Sequence, residues 1–284
     1  MFIITKESSG ALQTLPKDEN KNISLILSQK IKITSDTYIF RFKFPDESVN
    51  FGLPIGNHVI FSAQVKTKEH PEGELIQRKY TPMSTLTQNG YVDFVIKIYR
   101  ANVHPRFPEG GVMTQYLETL VENQSIMLME GPKGRLAYQG MGRFLIGKQQ
   151  LRKTKIGLVA GGTGITPCYQ VIQAALDYQQ DGTQLSLIFG NRTVDDILLR
   201  KELESYSQNN PKRFKLHLTV DVKPEVSESW EGSVGFITQE MLRQNMPEAS
   251  PETIILYCGP PPFEEMMAKH LKALGYASDM IFKF

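Results

Sequence analysis

The stretch Lys155–Pro167, KIGLVAGGTGITP, runs an apolar segment straight into glycines and then into helix-forming sequence. Four to eight apolar residues bounded by glycine read as a buried strand. The following TPCYQVIQAALDYQQ puts Cys168, Val171, Ile172 and Ala175 on one helical face. Glycines at a strand's C-terminal end let a phosphate approach the backbone, and a helix N-terminus adds N–H donors and partial positive charge. Pro167 costs nothing in a first turn, where its N–H would be unpaired anyway. The segment is neither G-x-G-x-x-G nor a P-loop, since no Gly-Lys-Ser/Thr follows. A turn shaped only for close strand–helix packing is the competing reading.

Onward from this stretch, strand and helix alternate. QLSLIFG precedes DDILLRKELESY, FKLHLTV follows, and TIILYCG precedes PPFEEMMAKHLKALG. Such alternation predicts a parallel sheet flanked by helices, whose strand ends line one ligand crevice. YCGPPPF, Tyr257–Phe263, ends the fourth parallel strand and faces the same crevice. Asp221 closes the third, where a carboxylate accepts from an adenosine ribose and repels a 2′-phosphate; a turn Asp capping the next loop fits equally well. Arg192, after the second strand, argues for a 2′-phosphate instead.

Before Lys155 the pattern is different. NISLILSQKIKI, TYIFRFKF, HVIFSAQV, ELIQRKY, YVDFVIKIY and SIMLME make six candidate strands separated by turn signals, which predicts a closed antiparallel barrel. In YVDFVIKIY, Val92, Phe94, Ile96 and Ile98 form the core face, and Tyr91, Asp93, Val95, Lys97 and Tyr99 face either solvent or a ligand. FPEGGVMTQYLETL sets Gly110 and Gly111 before a short helix, with Thr114 as a phosphate ligand or simply an N-cap. RKYTPMS, Arg78–Ser84, adds a guanidinium able to pair bidentately with phosphate oxygens. A diphosphate shared by these two stretches is the better account. Lys79 and Met83 are expected to point away and to vary freely. The organisation expected is residues 22–135, a linker hairpin at 136–153, and residues 154–284, an antiparallel six-stranded β-barrel followed by an α/β parallel-sheet domain.

The chain has 284 residues, enough for two cores, and a net charge of +2, too small to imply nucleic acid. Two cysteines, Cys168 and Cys258, exclude a disulfide framework and an iron–sulfur cluster, so no metal is expected and a reducing, cytoplasmic location fits. MFIITKESSG is far shorter than a membrane span, so no transmembrane segment is expected; a monomer is.

The motifs in order resemble the ferredoxin-NADP reductase superfamily and, within it, the NADH-cytochrome b5 reductases. R-x-Y-T/S-x-x-S stands as Arg78–Ser84, G-x-M-S/T as Gly111–Thr114, G-G-T-G-I-T-P as Gly161–Pro167, and C-G-P-P-P as Cys258–Pro262. LPIGNH, VIKIY, HPRFPEGG and DILLRKELE match as well, so the resemblance runs from about residue 22 to the C-terminus. It implies that the barrel binds FAD and the α/β domain NADH. Arg78 then holds the FAD diphosphate, Tyr80 lies against the flavin, Thr81 sits near its N5, and Val95 and Lys97 line the ring and ribityl side. Gly111, Met113 and Thr114 bind the diphosphate, with Pro82, Ser84, Tyr99, Phe107 and Gly110 completing that set. For NADH the resemblance implies Gly161, Gly162, Thr163 and Thr166 at the pyrophosphate, Cys258 and Gly259 by the nicotinamide, Asp221 favouring NADH, and Pro260 and Phe263 flanking the adenine. Two departures stand out: Val112 replaces the usual lysine of G-K-M-S, and Phe263 the usual methionine after C-G-P-P-P.

The implied reaction moves a hydride from NADH to flavin N5 and then single electrons to a haem protein such as cytochrome b5. Thr81, His58, Lys97 and Cys258 are the candidate catalytic residues, His58 and Thr81 as a proton path, although a lone strand histidine is more often structural. Lys148, Arg152, Lys153 and Lys155 are either a docking face for an acidic partner or a solvated charge run. A diaphorase with a quinone or other acceptor, and a non-catalytic nucleotide-binding module, are the alternatives.

Overall fold

The alternation read in the first half of the chain resolves into six strands and one helix. In the computed structural model, residue 15 and residues 22–85, 87–103, 108–223 and 230–284 are described. Two units emerge, one reaching to Gly134 and the other spanning Arg135–Phe284.

The first unit contains β1 (Asn22–Lys32), β2 (Thr37–Lys43), β3 (His58–Val65), β4 (Glu74–Tyr80), β5 (Tyr91–Lys97), α1 (Val112–Thr119) and β6 (Ile126–Lys133). The strands form one antiparallel sheet in the order β4-β3-β6-β1-β2-β5. Its concave face is aromatic: Phe61 meets Phe42 and Phe94 edge-on, with centroids 5.6 and 4.8 Å away, and Tyr80 packs on Phe61 at 4.6 Å. Edge-on contacts set the ring positive edges against negative faces, so this core fixes orientation as well as volume. No ladder joins β4 to β5 among the described residues, so the expected closed barrel is a half-barrel with one seam. After Tyr80 a single main-chain bond reaches β5 among the described residues, from the Met83 N–H to the Asp93 carbonyl at 2.9 Å.

In the second unit, β7 (Leu136–Tyr138), β8 (Arg143–Ile146) and β9 (Gln149–Arg152) form a three-stranded antiparallel sheet. There follow β10 (Lys155–Gly161), α2 (Ile165–Leu176), β11 (Gln184–Asn191), α3 (Arg200–Asn209), β12 (Phe214–Val220), β13 (Ser233–Val234), α4 (Gln239–Asn245), β14 (Thr253–Cys258), α5 (Pro261–Ala273) and β15 (Ile281–Lys283). Their parallel sheet has the order β13-β12-β11-β10-β14-β15. The order reverses between β10 and β14, so these two strand ends flank the crevice where open α/β sheets take ligands.

Residues 136–152 group with this second unit. Asp181, which follows α2 and is 1% exposed, accepts from the Tyr138 hydroxyl and the Met141 N–H on the same oxygen, each at 2.6 Å. Its other oxygen takes the Thr183 N–H at 2.9 Å. α3 also starts later than DDILLRKELESY suggests. Thr193 donates its hydroxyl to Asp196 at 2.8 Å, and buried Leu199 has φ 56°, so the apolar ILL run packs as a turn before the helix.

Candidate functional site

In the first unit the structure brings together the RKYTPMS stretch, the end of β5 and the start of α1. Gly110 has φ 68°, and a Cβ on it would lie 2.4 Å from the Tyr99 carbonyl oxygen. Only glycine fits there. The Gly111 N–H donates to that same oxygen at 2.8 Å, and Thr114 Oγ1 takes the Tyr99 N–H at 3.2 Å while donating to the Gly111 carbonyl at 2.9 Å. Thr114 is therefore not the N-cap that its position suggested; Gly111 is, and no side chain caps the helix. Met113 sends its side chain into the core at 1% exposure, which leaves its backbone for any ligand. A bare glycine lip before an uncapped helix N-terminus suits a diphosphate.

Opposite pairs on β3 and β4 show how the sequence aims its groups. Arg78 faces Phe61 and Tyr80 faces Val59, both core residues, so Arg78 and Tyr80 share the concave side. Arg78 is exposed there because β4 is a sheet edge. Burial pushes the Tyr80 phenol above its ordinary value, with Arg78 opposing and Tyr99 adding to the rise, so all three groups are neighbours. Thr81 directly follows Tyr80 and His58 directly precedes its partner Val59, so the two flank the last pair of this ladder. Burial, then Lys79 and Lys133, depress His58 to about 4, so its imidazole is neutral near pH 6.5 and above. Val95 is 4% exposed, and Lys97 pairs with Asp36 at 3.2 Å. Tyr99 is exposed, and Phe107 lies outside the described residues. The Met83 main-chain N–H, which any residue but proline supplies, donates to the Asp93 carbonyl at 2.9 Å, and Ser84 Oγ accepts from the Asp93 N–H at 2.8 Å.

The second unit builds a comparable lip at its switch point. A Cβ on Gly164 would sit 2.2 Å from the Cys258 carbonyl oxygen, so the start of α2 lies directly against the end of β14. Gly164 caps α2 without a side-chain bond, and Thr166, 7% exposed, donates back to the Thr163 carbonyl at 3.3 Å. The ring of Phe263 lies over Gly161 and Gly259, whose added Cβ atoms would meet it at 3.0 and 2.4 Å. Gly161, Gly162, Thr163, Thr166, Cys258, Gly259, Pro260 and Phe263 thus converge as expected from their order along the chain. Cys258 is half-buried; Cys168 is buried, which pushes its thiol up, and neither is in a disulfide.

Asp221 lies at the end of β12, its N–H donating to the Asn191 carbonyl at 2.9 Å. Desolvation raises its carboxyl above the usual value and Arg192 opposes the rise, so the two competing specificity signals stand side by side. Phe236 escaped the sequence reading. It is 68% exposed and follows Gly235, whose N–H donates to the Val220 carbonyl at 2.8 Å, which ties this stretch of backbone to the end of β12, next to Asp221 in the chain. The only hint was one aromatic between a glycine and Thr238, the N-cap of α4.

Comparison with known proteins follows the same division. The oxidoreductase FAD-binding domain family matches residues 24–138 and the oxidoreductase NAD-binding domain family residues 158–269. NADH-cytochrome b5 reductase 2 of Homo sapiens is 42% identical over 275 residues, spanning 94% of this chain and 96% of its own length. The chain belongs to the NADH-cytochrome b5 reductase family. Another relative, nitrate reductase [NADH] 2 of Nicotiana tabacum, is 41% identical across 95% of this chain, which corresponds to 29% of that longer protein. Among solved structures, the cytochrome b5 reductase domain of Ulva prolifera nitrate reductase superposes with a TM-score of 0.89 at 36% identity, covering 96% of this chain and all of that one. Within the NADH-cytochrome b5 reductase family the present chain carries Val112 and Phe263 at two motif positions, and both are accommodated: Val112 packs on the barrel core and Phe263 on the two glycines.

Proposed function

We propose that this protein is an FAD-dependent oxidoreductase that takes a hydride from NADH and passes electrons singly to a haem protein of the cytochrome b5 type. The observation that carries the reading is that each unit presents a glycine lip at an uncapped helix N-terminus, within a full-length match to an NADH-cytochrome b5 reductase. FAD, when bound, supplies the exchange between two-electron and one-electron chemistry. The chain's own part is binding, orientation and proton handling.

In the first unit Arg78 and the backbone of Gly110–Thr114 would hold the diphosphate, with Tyr80, Pro82, Val95 and Tyr99 bounding the ring and ribityl chain. Thr81 offers a hydroxyl, and the nearby neutral His58 offers a ring nitrogen as a hydrogen-bond acceptor, since burial and the two lysines oppose its holding a proton as a cation. Lys97, fixed by Asp36, supplies a positioned positive charge. In the second unit Gly161–Thr166 would take the pyrophosphate of NADH, Cys258 and Gly259 the nicotinamide end, Pro260 and Phe263 an adenine wall, and Asp221 and Phe236 the ribose and adenine.

For the acceptor, exposed Lys148 and Arg152 remain candidates for a docking face. Lys153 does not: it is 7% exposed and its Nζ donates to the Pro251 carbonyl at 2.8 Å. Lys155 faces Glu252 at 3.9 Å. Among the described residues no helix is long and apolar enough to cross a membrane. Separately, a cytoplasmic monomer is the location and state we propose for the working enzyme. The test is an acceptor panel: cytochrome b5 reduction that weakens with ionic strength supports the reading, whereas quinone reduction with an inert cytochrome b5 overturns the acceptor.

A further inference from the structure

After Tyr80 the chain leaves β3 and meets β5 at Asp93. The Met83 N–H donates to the Asp93 carbonyl at 2.9 Å, one half of the two-bond pair that an antiparallel ladder makes. The returning bond goes elsewhere: the Asp93 N–H donates to Ser84 Oγ at 2.8 Å. Asp93 is itself immobilised. Its two carboxylate oxygens accept from Arg41 Nε and Nη2, each at 2.8 Å, and the Arg41 guanidinium lies 3.8 Å from the centre of the Tyr91 ring.

A side-chain hydroxyl therefore stands in for a main-chain acceptor, and pairing between this segment and β5 stops after one rung. Further rungs would draw residues 81–83 along β5 and zip the seam on which Arg78 is exposed and Tyr80 half-buried. We propose that Ser84 is a positioning residue, a latch whose hydroxyl, held by the Asp93 amide, keeps the seam open and sets where Tyr80 and Thr81 stand toward the flavin. The proposal rests on the FAD reading above and moves Ser84 from the ligand set to the frame behind it. What it requires is the acceptor lone pair of the hydroxyl, which threonine keeps and alanine loses.

The test compares Ser84→Ala and Ser84→Thr in the full chain by the FAD dissociation constant, the visible circular dichroism of bound flavin and hydrogen exchange at the Asp93 amide. Ser84→Ala leaves a buried N–H unpaired or sends it to Met83, so FAD affinity is expected to fall at least about tenfold, with altered flavin dichroism and faster Asp93 exchange. Ser84→Thr is expected to stay within about twofold of the parent in affinity. A serine that served stability alone would lower Tm in the alanine variant while leaving affinity and dichroism unchanged, and that result overturns the proposal. So does a threonine variant that fails as badly as alanine. If the alanine protein does not fold, Ser84→Cys, with a poor acceptor, carries the same comparison. A parent chain that binds no FAD would overturn the flavin reading, and this proposal with it, before any variant is compared.

Discussion

Replacing Gly164 by alanine probes the nucleotide lip with the least chemical change. The added methyl would stand 2.2 Å from the Cys258 carbonyl oxygen, 2.5 Å from its carbon and 2.8 Å from the Gly259 nitrogen, all backbone atoms. Ordinary contact begins at 3.4 Å, so the start of α2 and the end of β14 must separate by about 1.2 Å, the difference between 3.4 and 2.2. Overpacking of this kind costs about 1–3 kcal/mol, and a misplacement of about 1 Å in a binding frame costs up to about 100-fold in rate. Both walls of the NADH crevice move while the first unit is untouched. The expected outcome is a protein that keeps its FAD, with KM for NADH raised at least about tenfold in an artificial-acceptor assay. Gly182→Ala, where a Cβ meets nothing within 4 Å, is the control. A Gly164→Ala enzyme with an unchanged KM, or one that loses FAD and NADH binding together, would refute the placement of the nucleotide at the β10 and β14 ends.

Gly110→Ala tests the other lip: the clash at 2.4 Å with the Tyr99 carbonyl should lower the FAD-to-protein ratio on purification, and full flavin occupancy would argue against a diphosphate there. Asp221→Thr removes a carboxylate beside Arg192, so the NADPH to NADH ratio of kcat/KM should rise at least about tenfold, roughly 1.4 kcal/mol, measured by initial rates with both coenzymes. His58 carries an acid-stability signature. Its folded value of about 4 lies below the ordinary 6.5, so as pH falls the unfolded chain takes the proton first. Stability is whole above pH 6.5 and drains away toward pH 4, by about 2 kcal/mol once solvent screening is allowed for. Urea unfolding of His58→Gln should show a flatter pH profile in that window, and an identical slope would contradict the buried neutral imidazole.

The sequence disclosed most where one residue type had one physical use. Gly110 and Gly164 were readable because close backbone approach leaves no alternative to glycine, and the alternation of Val92, Phe94, Ile96 and Ile98 named a core face that is buried throughout. Residues whose groups have several uses were read less well. Ser84 looked like a ligand because a hydroxyl in a cofactor motif suggests one, yet its hydroxyl takes the Asp93 amide, nine residues on and in another strand. Lys153 looked like a surface charge, but its aliphatic stem is buried and its ammonium is spent on a carbonyl. Phe236 and the two- and three-residue strands β13 and β15 carry no periodicity to detect, and Leu199 shows that a helical pattern yields where packing demands a turn.

The central claim, electron entry from NADH through a bound flavin, is tested most directly by titrating the purified protein anaerobically with NADH and then, in a fresh sample, with NADPH while following flavin absorbance. Bleaching that is complete near one equivalent of NADH, and that needs a large excess of NADPH, is the predicted result. A flavin-free protein that takes up no FAD, or a flavin that NADH leaves oxidised, would contradict it.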